Sequence, residues 1–285
     1  MYRSPMATIV RSEASPRPEF GELLREWRRR RHQSQLALAL EAGVSQRHLS
    51  FVESGRAQPS REMVLRLAEE LDVPLRERNR LLIAAGFAPM FQERSLDDPA
   101  LDAVQRAIER VLRAHEPYPA LAIDRHWTLV AANRAVAPFL AIASPALLTP
   151  PINVLRLSLH PDGLAPRIAN LSQWRPYLLQ RLQRECDLTT DPQLVELLHE
   201  LRGYPSPRNR AASPSPAATV HADSRVFVPL QLETDAGVLS FISTTTVFGT
   251  PVDVTVAEIA LECFFPADDV TAEQLRQSLG SDRDV

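Results

Sequence analysis

The sequence predicts an α + α/β protein, in which five short helices precede a mostly antiparallel sheet covered by helices. Two observations predict this order. Residues 20–86 carry apolar side chains at helical spacing, separated by short polar breaks, and the last third of the chain alternates apolar and polar residues with a period of two. With 285 residues, 45% of them hydrophobic, the chain is long enough to bury two cores.

The predicted helices of the first part begin at serines and end at glycines. An apolar stripe from Phe20 to Trp27 predicts the first helix, over residues 20–31. Serine N-caps precede the second, third and fourth helices, at Ser34, Ser45 and Ser60. Glycines end the second, third and fifth helices, at Gly43, Gly55 and Gly86. This spacing predicts a compact helical domain.

The rest of the chain mixes helices and strands. Asp98 and Pro99 open a helix with apolar residues expected to face inward, namely Leu101, Val104, Ile108, Val111 and Leu112. Strands are predicted over 119–124, 127–132, 226–233, 238–248 and 257–265, and further helices over 133–140, 164–174, 177–186 and 192–202. Pro229 indicates an edge strand or a bulge, and the Pro/Ser-rich stretch 203–217 indicates a loop. The order favours a sheet with helices over one face.

Composition and motifs exclude several classes of protein. All 32 basic residues are arginine, which excludes Schiff-base and phosphate-binding lysines. The two cysteines and seven histidines show no metal-ligand spacing, and no GxSxG, HExxH or GxGxxG pattern occurs. We therefore expect no enzyme, no metal and no cofactor. The longest apolar run, 135–148, is shorter than the ~20 residues of a membrane span, and no signal peptide precedes it, so we expect a cytoplasmic protein.

Charge is divided unevenly along the chain. Residues 1–94 contain 16 arginines and 12 acidic residues, whereas residues 95–285 contain 16 arginines and 23 acidic residues. These counts alone are compatible with ordinary scatter. The four consecutive arginines of Arg28–Arg31 favour a first part that meets a polyanion.

The most informative segment is 34–55, which reads as two short helices joined by a turn. Small or apolar residues occupy the turn and the angle between the helices: Ala39, Gly43, Val44, Ser45, Leu49 and Val52. This pattern is typical of a helix-turn-helix, whose second helix can lie in the major groove of DNA. The alternative is a helical hairpin that binds no nucleic acid.

Five side chains are predicted to point outward from the second helix of this pair, which begins after Ser45: Gln46, Arg47, His48, Ser50 and Phe51. Glutamine can bond adenine, arginine can bond guanine, and an aromatic edge can contact a thymine methyl group. Gln35 and Arg56 flank this set at positions where we expect backbone phosphates. Together these seven residues are the predicted DNA-binding site.

Residues 20–73 resemble the Cro/repressor-type (XRE) helix-turn-helix domain, and the segment SQLALALEAGVSQRHLSFVESGRAQPS follows its pattern. The continuation, with LDVPLRERNRLLIAAGFAP, PALAIDRHWTLVAAN, NVLRLSLHPDG and FFPAD, is similar to regulators with an MmyB-like C-terminal ligand-binding domain. The resemblance spans Phe20 to Asp268. It implies a PAS-like sheet with a pocket for fatty-acyl chains or other apolar small molecules.

These observations predict five segments. They are a disordered N-terminal arm (1–19), a helix-turn-helix domain (20–86), a linker (87–97), a PAS-like MmyB-type ligand-binding domain (98–268) and a C-terminal tail (269–285). Candidate walls of the ligand pocket are Trp127, Phe139, Trp174 and Tyr177, and candidate anchors for a polar head group are Asn133, His160 and Arg167. Each role has an alternative: plain core packing for Trp127 and Phe139, a helix cap for Asn133, a turn residue for His160 and a surface arginine for Arg167.

The predicted function is a sequence-specific, DNA-binding transcriptional regulator that binds a two-half-site operator as a homodimer and senses a small apolar ligand, a fatty acid among the candidates. The alternative keeps the DNA-binding part and makes the C-terminal domain a dimerisation or protein-docking module. Leu36 and Leu40 lie off the face of their helix that carries Leu38. They cover the first helix, the sensory domain or a second subunit, and the sequence leaves these options open.

Overall fold

The computed structural model describes residues 20–189, 191–205, 227–235 and 237–281. The chain divides into two compact units, Met1–Gln92 and Glu93–Val285. The predicted arm 1–19, most of the predicted loop 203–217 and the beginning of the predicted strand at Val226 lie outside the described residues.

The described part of the first unit forms five helices: α1 (Phe20–Arg30), α2 (Gln35–Glu41), α3 (Gln46–Glu53), α4 (Arg61–Glu70) and α5 (Leu75–Ala84). The three serine caps are confirmed. Ser34, Ser45 and Ser60 each accept a hydrogen bond from the backbone N–H three residues later. Gly43 ends α2 with a φ of 63°, a left-handed conformation that glycine adopts without strain.

Helices α1 and α3 approach so closely that only glycine fits between them. A Cβ atom at Gly21 would lie 2.5 Å from the carbonyl oxygen of Glu53 and 2.7 Å from that of Val52. Next to this contact, Leu24 and Trp27 of α1 join the apolar core of the unit. The position of α3 therefore depends on the absence of a side chain at residue 21.

A buried ion pair ties the same two helices together. Glu53, 2% exposed, receives hydrogen bonds from Arg28 Nε to Oε1 (2.6 Å) and from Arg28 Nη2 to Oε2 (3.0 Å). Gln35 Nε2 also donates to Oε2, at 2.8 Å, and Arg25 donates to the Glu53 backbone carbonyl. Burial by itself raises the pKa of Glu53, but the hydrogen bonds and charges of its partners outweigh it and hold the pKa below the usual value.

This network changes the interpretation of the arginine run. Arg28 is engaged with Glu53, and Arg31 donates to the backbone carbonyls of Leu71 and Asp72. Arg30 lies over the ring of Trp27 and pairs with Glu26. Three of the four consecutive arginines thus bind within the unit, and Arg29 is the exposed member of the run.

The second unit contains a five-stranded antiparallel sheet in the order β2-β1-β5-β4-β3. Its strands are β1 (Ala120–Ile123), β2 (Leu129–Ala132), β3 (Leu230–Thr234), β4 (Gly237–Val247) and β5 (Ala260–Pro266). The edge position predicted from Pro229 is confirmed, because β3 begins just after this proline and lies at one edge of the sheet. The predicted α + α/β order is confirmed as well.

Seven further helices accompany the sheet within the described residues: α6 (Asp102–Ala114), α7 (Ala137–Leu140), α8 (Val154–Leu159), α9 (Leu171–Thr189), α10 (Pro192–Gly203), α11 (Val254–Ala257) and α12 (Asp269–Ser281). They cover both faces of the sheet, whereas one covered face was predicted. Ile108 and Leu112 of α6 pack on the face that carries Ala120 and Leu261. Helices α8, α9 and α10 pack on the opposite face.

Several local predictions are wrong for identifiable reasons. Trp127 lies in a turn with φ of 65° rather than in a strand, and its backbone N–H donates to Asp124. Val111 is 45% exposed, because the buried stripe of α6 runs through Ile108 and Leu112 instead. The helix predicted over 164–174 is a short 3-10 turn at Ala165–Arg167 followed by the start of α9, and α8 was not predicted.

The predicted tail and linker both contain packed structure. Helix α12 occupies most of 269–285, and its Thr271 hydroxyl accepts a hydrogen bond from the β4 residue Ser240. Phe87 packs against the core of the first unit, and the side chain of Asn79 holds the backbone of Met90 and Phe91. Beyond Gln92, Arg94 pairs with Asp253 of the second unit.

The Gly21→Ala variant is expected to unfold with a free energy lower by ~1–3 kcal/mol, because the new Cβ meets rigid backbone atoms of α3. Urea denaturation followed by circular dichroism measures this change. Arg29→Ala, at the exposed position of α1, is the matched control and is expected to change stability by less than ~0.5 kcal/mol. Equal stability of the two variants would contradict the close contact.

The Glu53→Gln variant is expected to lose ~3 kcal/mol at pH 7, because Arg28 is left without its carboxylate. The folded-state pKa of Glu53 is depressed, so its contribution is fully present above the unfolded value of 4.5 and is lost as pH falls through the folded-state pKa. Unfolding curves of both proteins between pH 7 and pH 3 are expected to converge on the acidic side. A constant difference across this range would contradict the ion pair.

Candidate DNA-binding helix and ligand cavity

Helix α3 is held at its inner face and is accessible at its outer face. Leu49, Val52 and Glu53 are buried against the rest of the unit. The Ser45 hydroxyl caps its first turn, and the left-handed Gly43 directs the chain from α2 into α3. Arg66 of α4 donates to the Ala42 carbonyl at the end of α2, which ties this turn to the next helix.

The predicted base-reading side chains lie on the accessible side of α3. Gln46 and Arg47 are exposed, and the others, His48, Ser50 and Phe51, are half-buried. The Arg47 guanidinium lies over the Phe51 ring, 5.4 Å from its centroid, as expected for residues one helical turn apart. This contact limits the conformational freedom of the Arg47 side chain at the start of α3. Whether these residues contact DNA stays a prediction.

The two predicted phosphate-contacting residues differ in their surroundings. Arg56 is exposed just after α3, and its backbone N–H donates to the Phe51 carbonyl. Gln35 is half-buried at the start of α2, where its amide donates to Glu53. Gln35 therefore links the N-terminus of α2 to the inner face of α3. A phosphate contact by this residue stays a prediction.

A cavity of about 110 Å³ lies in the second unit, between the sheet and the helices over it. Most of its walls are apolar. The lining includes Leu121 of β1, Leu230 and Leu232 of β3, Phe241 of β4 and Phe264 of β5. Helices contribute Phe139 and Leu140 of α7, Val154, Leu155 and Leu157 of α8, and Trp174 and Leu178 of α9. Such a cavity accommodates an apolar group.

Three of the seven predicted pocket residues line this cavity: Trp127, Phe139 and Trp174. Tyr177 is not part of the lining, and its ring centroid lies 5.3 Å from that of Trp174. The four that do not line it include all three predicted anchors for a head group. These residues suit a ligand pocket by type, but each side chain has another partner.

The three anchors have structural positions instead. Asn133 is buried and bonds the backbone of Leu112, Tyr118 and Ala120, which joins the end of α6 to β1. His160 ends α8, accepts a hydrogen bond from the Asp162 backbone N–H, and packs edge-on against Tyr204. Arg167 is half-exposed, 3.8 Å from the fully exposed Asp235.

Sequence analysis missed the polar residues that do line the cavity: Ser158, Ser243 and Glu262. Glu262 belongs to β5 and is 4% exposed. It lies opposite Thr245 of β4 in the sheet register and pairs with Arg181 of α9. The only sequence signal was a charged residue within an apolar strand, and an exposed strand face produces the same pattern.

Glu262 belongs to a larger charged group beside the cavity. The Arg181 guanidinium lies 4.4 Å from the centroid of the Trp127 ring, and the Trp127 indole N–H donates to Glu185 at 2.7 Å. Burial raises the pKa of Glu185 above its usual value, and the hydrogen bond from Trp127 opposes this shift only in part. The group holds the ring of Trp127 in the cavity wall.

Among the described residues, no helix combines the length and apolarity needed to cross a membrane. The same residues include no group of three or more His, Cys, Asp and Glu side chains placed to hold a metal ion.

Family models match segments of both units of the chain. Residues 24–78 match the model of a helix-turn-helix family, and residues 104–277 match the MmyB-like transcription regulator ligand binding domain. Among solved structures, the crystal structure of the clp gene regulator ClgR from Corynebacterium glutamicum is 27% identical, covers 36% of this chain and 99% of its own, and has a TM-score of 0.22. A search of curated proteins found no match. The chain belongs to the MmyB-like transcription regulators, with a DNA-binding helix-turn-helix ahead of the ligand-binding domain.

Proposed function

We propose that α3 reads base edges in the major groove of an operator, with Gln46 and Arg47 as the leading contacts. The single observation that supports this most strongly is the two-sided character of α3. Its inner face is fixed by Gly21, Glu53 and the apolar core, while Gln46 and Arg47 at its first turn are exposed. A rigid helix with accessible side chains at its N-terminal end suits groove reading.

A homodimer on two half-sites is part of this proposal. One helix-turn-helix reads few base pairs, and two copies about one helical turn apart, ~10 base pairs, extend the recognised sequence. Leu36 and Leu40 support a role outside their own unit, because they are 52% and 72% exposed.

The second part of the proposal concerns the cavity. We infer that it takes a small apolar molecule and that this molecule changes the affinity of the protein for its operator. The apolar walls support the choice of ligand, and so do the five aromatic rings in them, those of Trp127, Phe139, Trp174, Phe241 and Phe264. Regulation follows only if the ligand has unequal affinity for the DNA-bound and free states.

The Arg47→Ala variant is expected to lose ~1–3 kcal/mol of binding energy at one base pair and to tolerate changes there. Arg56→Ala is expected instead to weaken binding to all sequences and to reduce the slope of log affinity against log salt by about one. Gel-shift titration against an operator selected from a random DNA library, repeated with single-base variants and at several salt concentrations, separates these effects.

The matched control is Arg80→Ala, which removes one positive charge from α5, where Arg80 is paired with Glu77. It is expected to leave sequence preference unchanged. If Arg47→Ala and Arg56→Ala both bind the operator as the unmodified protein does, α3 is not the reading helix.

The Leu140→Trp variant is expected to weaken the binding of an apolar probe, 1-octanol, at least tenfold, because the larger ring fills the cavity from α7. Ile142→Trp is the control, since this residue follows two positions later and is not part of the lining. Isothermal titration calorimetry on the full chain measures both. Failure of 1-octanol to bind the unmodified protein would favour a C-terminal domain that acts only in dimerisation or docking.

A further inference from the structure

The polar residues of the cavity lining do not suit a ligand that carries a carboxylate at the end of an apolar chain. Its polar side chains are Ser158, Ser243 and Glu262, and the lining formed by described residues includes no arginine and no histidine. A carboxylate removed from water needs a cation or several donors to offset the loss of hydration. Here the charged group that faces the cavity is itself a carboxylate.

Arg181 is the cation that pairs with Glu262, and its guanidinium is already engaged. Its Nη2 donates to Glu262 Oε1 at 2.5 Å and its Nη1 to Oε2 at 3.2 Å, so the two groups form a two-point ion pair. Arg181 also lies 3.6 Å from Glu185 and covers the Trp127 ring. These contacts engage the guanidinium, and Arg181 is not one of the residues that line the cavity.

Glu262 keeps capacity to accept another hydrogen bond. Each oxygen of an ionised carboxylate can accept about two. Oε1 receives hydrogen bonds from Arg181 and from the Thr245 hydroxyl, whereas Oε2 receives one, from Arg181, among the described residues. The Ser158 hydroxyl accepts from the Trp174 indole N–H at 3.2 Å and retains its own proton as a donor. The polar side of the cavity therefore offers at least one strong acceptor.

We propose that the ligand is an apolar molecule with a hydrogen-bond donor at its polar end, an alcohol, amide or amine, and that Glu262 accepts from it. This inference rests on the proposed apolar cavity and specifies the ligand class within it. It differs from the fatty acid that the sequence resemblance implied. A free carboxylate would face Glu262 with no unpaired cation in the lining, whereas a donor would use an acceptor that is already present.

The charges around the site favour the same class. Beside the cavity, one guanidinium faces two carboxyl groups, Glu262 and Glu185, and Thr245 adds no charge. Bringing a further negative charge to this place adds repulsion in a partly desolvated environment. A neutral donor meets no such repulsion, and a cationic donor meets the repulsion of one guanidinium together with the attraction of Glu262.

The test compares three probes of equal chain length with the full protein at pH 7: 1-octanol, octylamine and octanoate. Isothermal titration calorimetry is expected to show octanol and octylamine binding at least tenfold more tightly than octanoate. Octanoate binding as tightly as octanol, or more tightly, would overturn the proposal. Because the unmodified protein is used, this outcome does not depend on how a variant folds.

A substitution at Glu262 then tests the residue itself. Glu262→Gln keeps the shape, removes the negative charge and releases Arg181, so octanoate is expected to gain about tenfold while octylamine loses affinity. Thr246→Val, at an exposed neighbouring position on β4, is the control and is expected to preserve the ranking. A Glu262→Gln protein with an unchanged circular dichroism spectrum and an unchanged ranking would contradict the role given to Glu262.

The Leu140→Trp variant distinguishes a failure of the proposed ligand class from a failure of the proposed apolar cavity. If octanoate is the tightest probe and Leu140→Trp weakens all three, the apolar cavity stands and the donor-bearing ligand class is wrong. If none of the probes binds, the proposed cavity function itself is wrong.

Discussion

The contact between α1 and α3 is the constraint on which the DNA-binding part depends. Gly21 lets the two backbones approach, and the Arg28–Glu53 pair then fixes the angle and register of α3. A buried carboxylate is unfavourable by itself, so the pair is stable only because two-point geometry and Gln35 satisfy it. Removing Arg28 or Glu53 leaves the other charge buried without its partner. The position of α3, and with it that of the exposed residues on this helix, is then no longer fixed.

The two faces of the sheet in the second unit differ in the residues they carry and in how they pack. The face under α6 carries small and aliphatic residues such as Ala120, Ala122 and Leu261, which pack against Ile108 and Leu112. The opposite face carries larger residues that alternate with Ser243 and Glu262, and its covering helices leave the space described above. The alternation of a β-strand thus places a packed core and a candidate ligand site on two sides of β1 and β5.

Most of the first unit could be predicted because its signals are local. A serine cap, the helix it begins and the glycine that ends it lie within a dozen residues, and their geometry follows from backbone hydrogen bonding. The contacts of the arginine run within the unit could not be predicted, because two of its members have distant partners. Arg28 meets Glu53, and Arg31 meets the carbonyls of Leu71 and Asp72, contacts that a charge count along the chain does not reveal.

The sequence by itself determined the two-part order, the helix-turn-helix and the apolar nature of the second core, because periodicity and caps act over a few residues. Only the tertiary structure decided which polar groups meet the cavity. Asn133, His160 and Arg167 were plausible by type, yet their side chains are engaged elsewhere, while Glu262 and Arg181, 81 residues apart, come together across β5 and α9. Pairing of charges that lie so far apart in the sequence depends on how the helices and strands pack. Patterns over a few residues do not predict it.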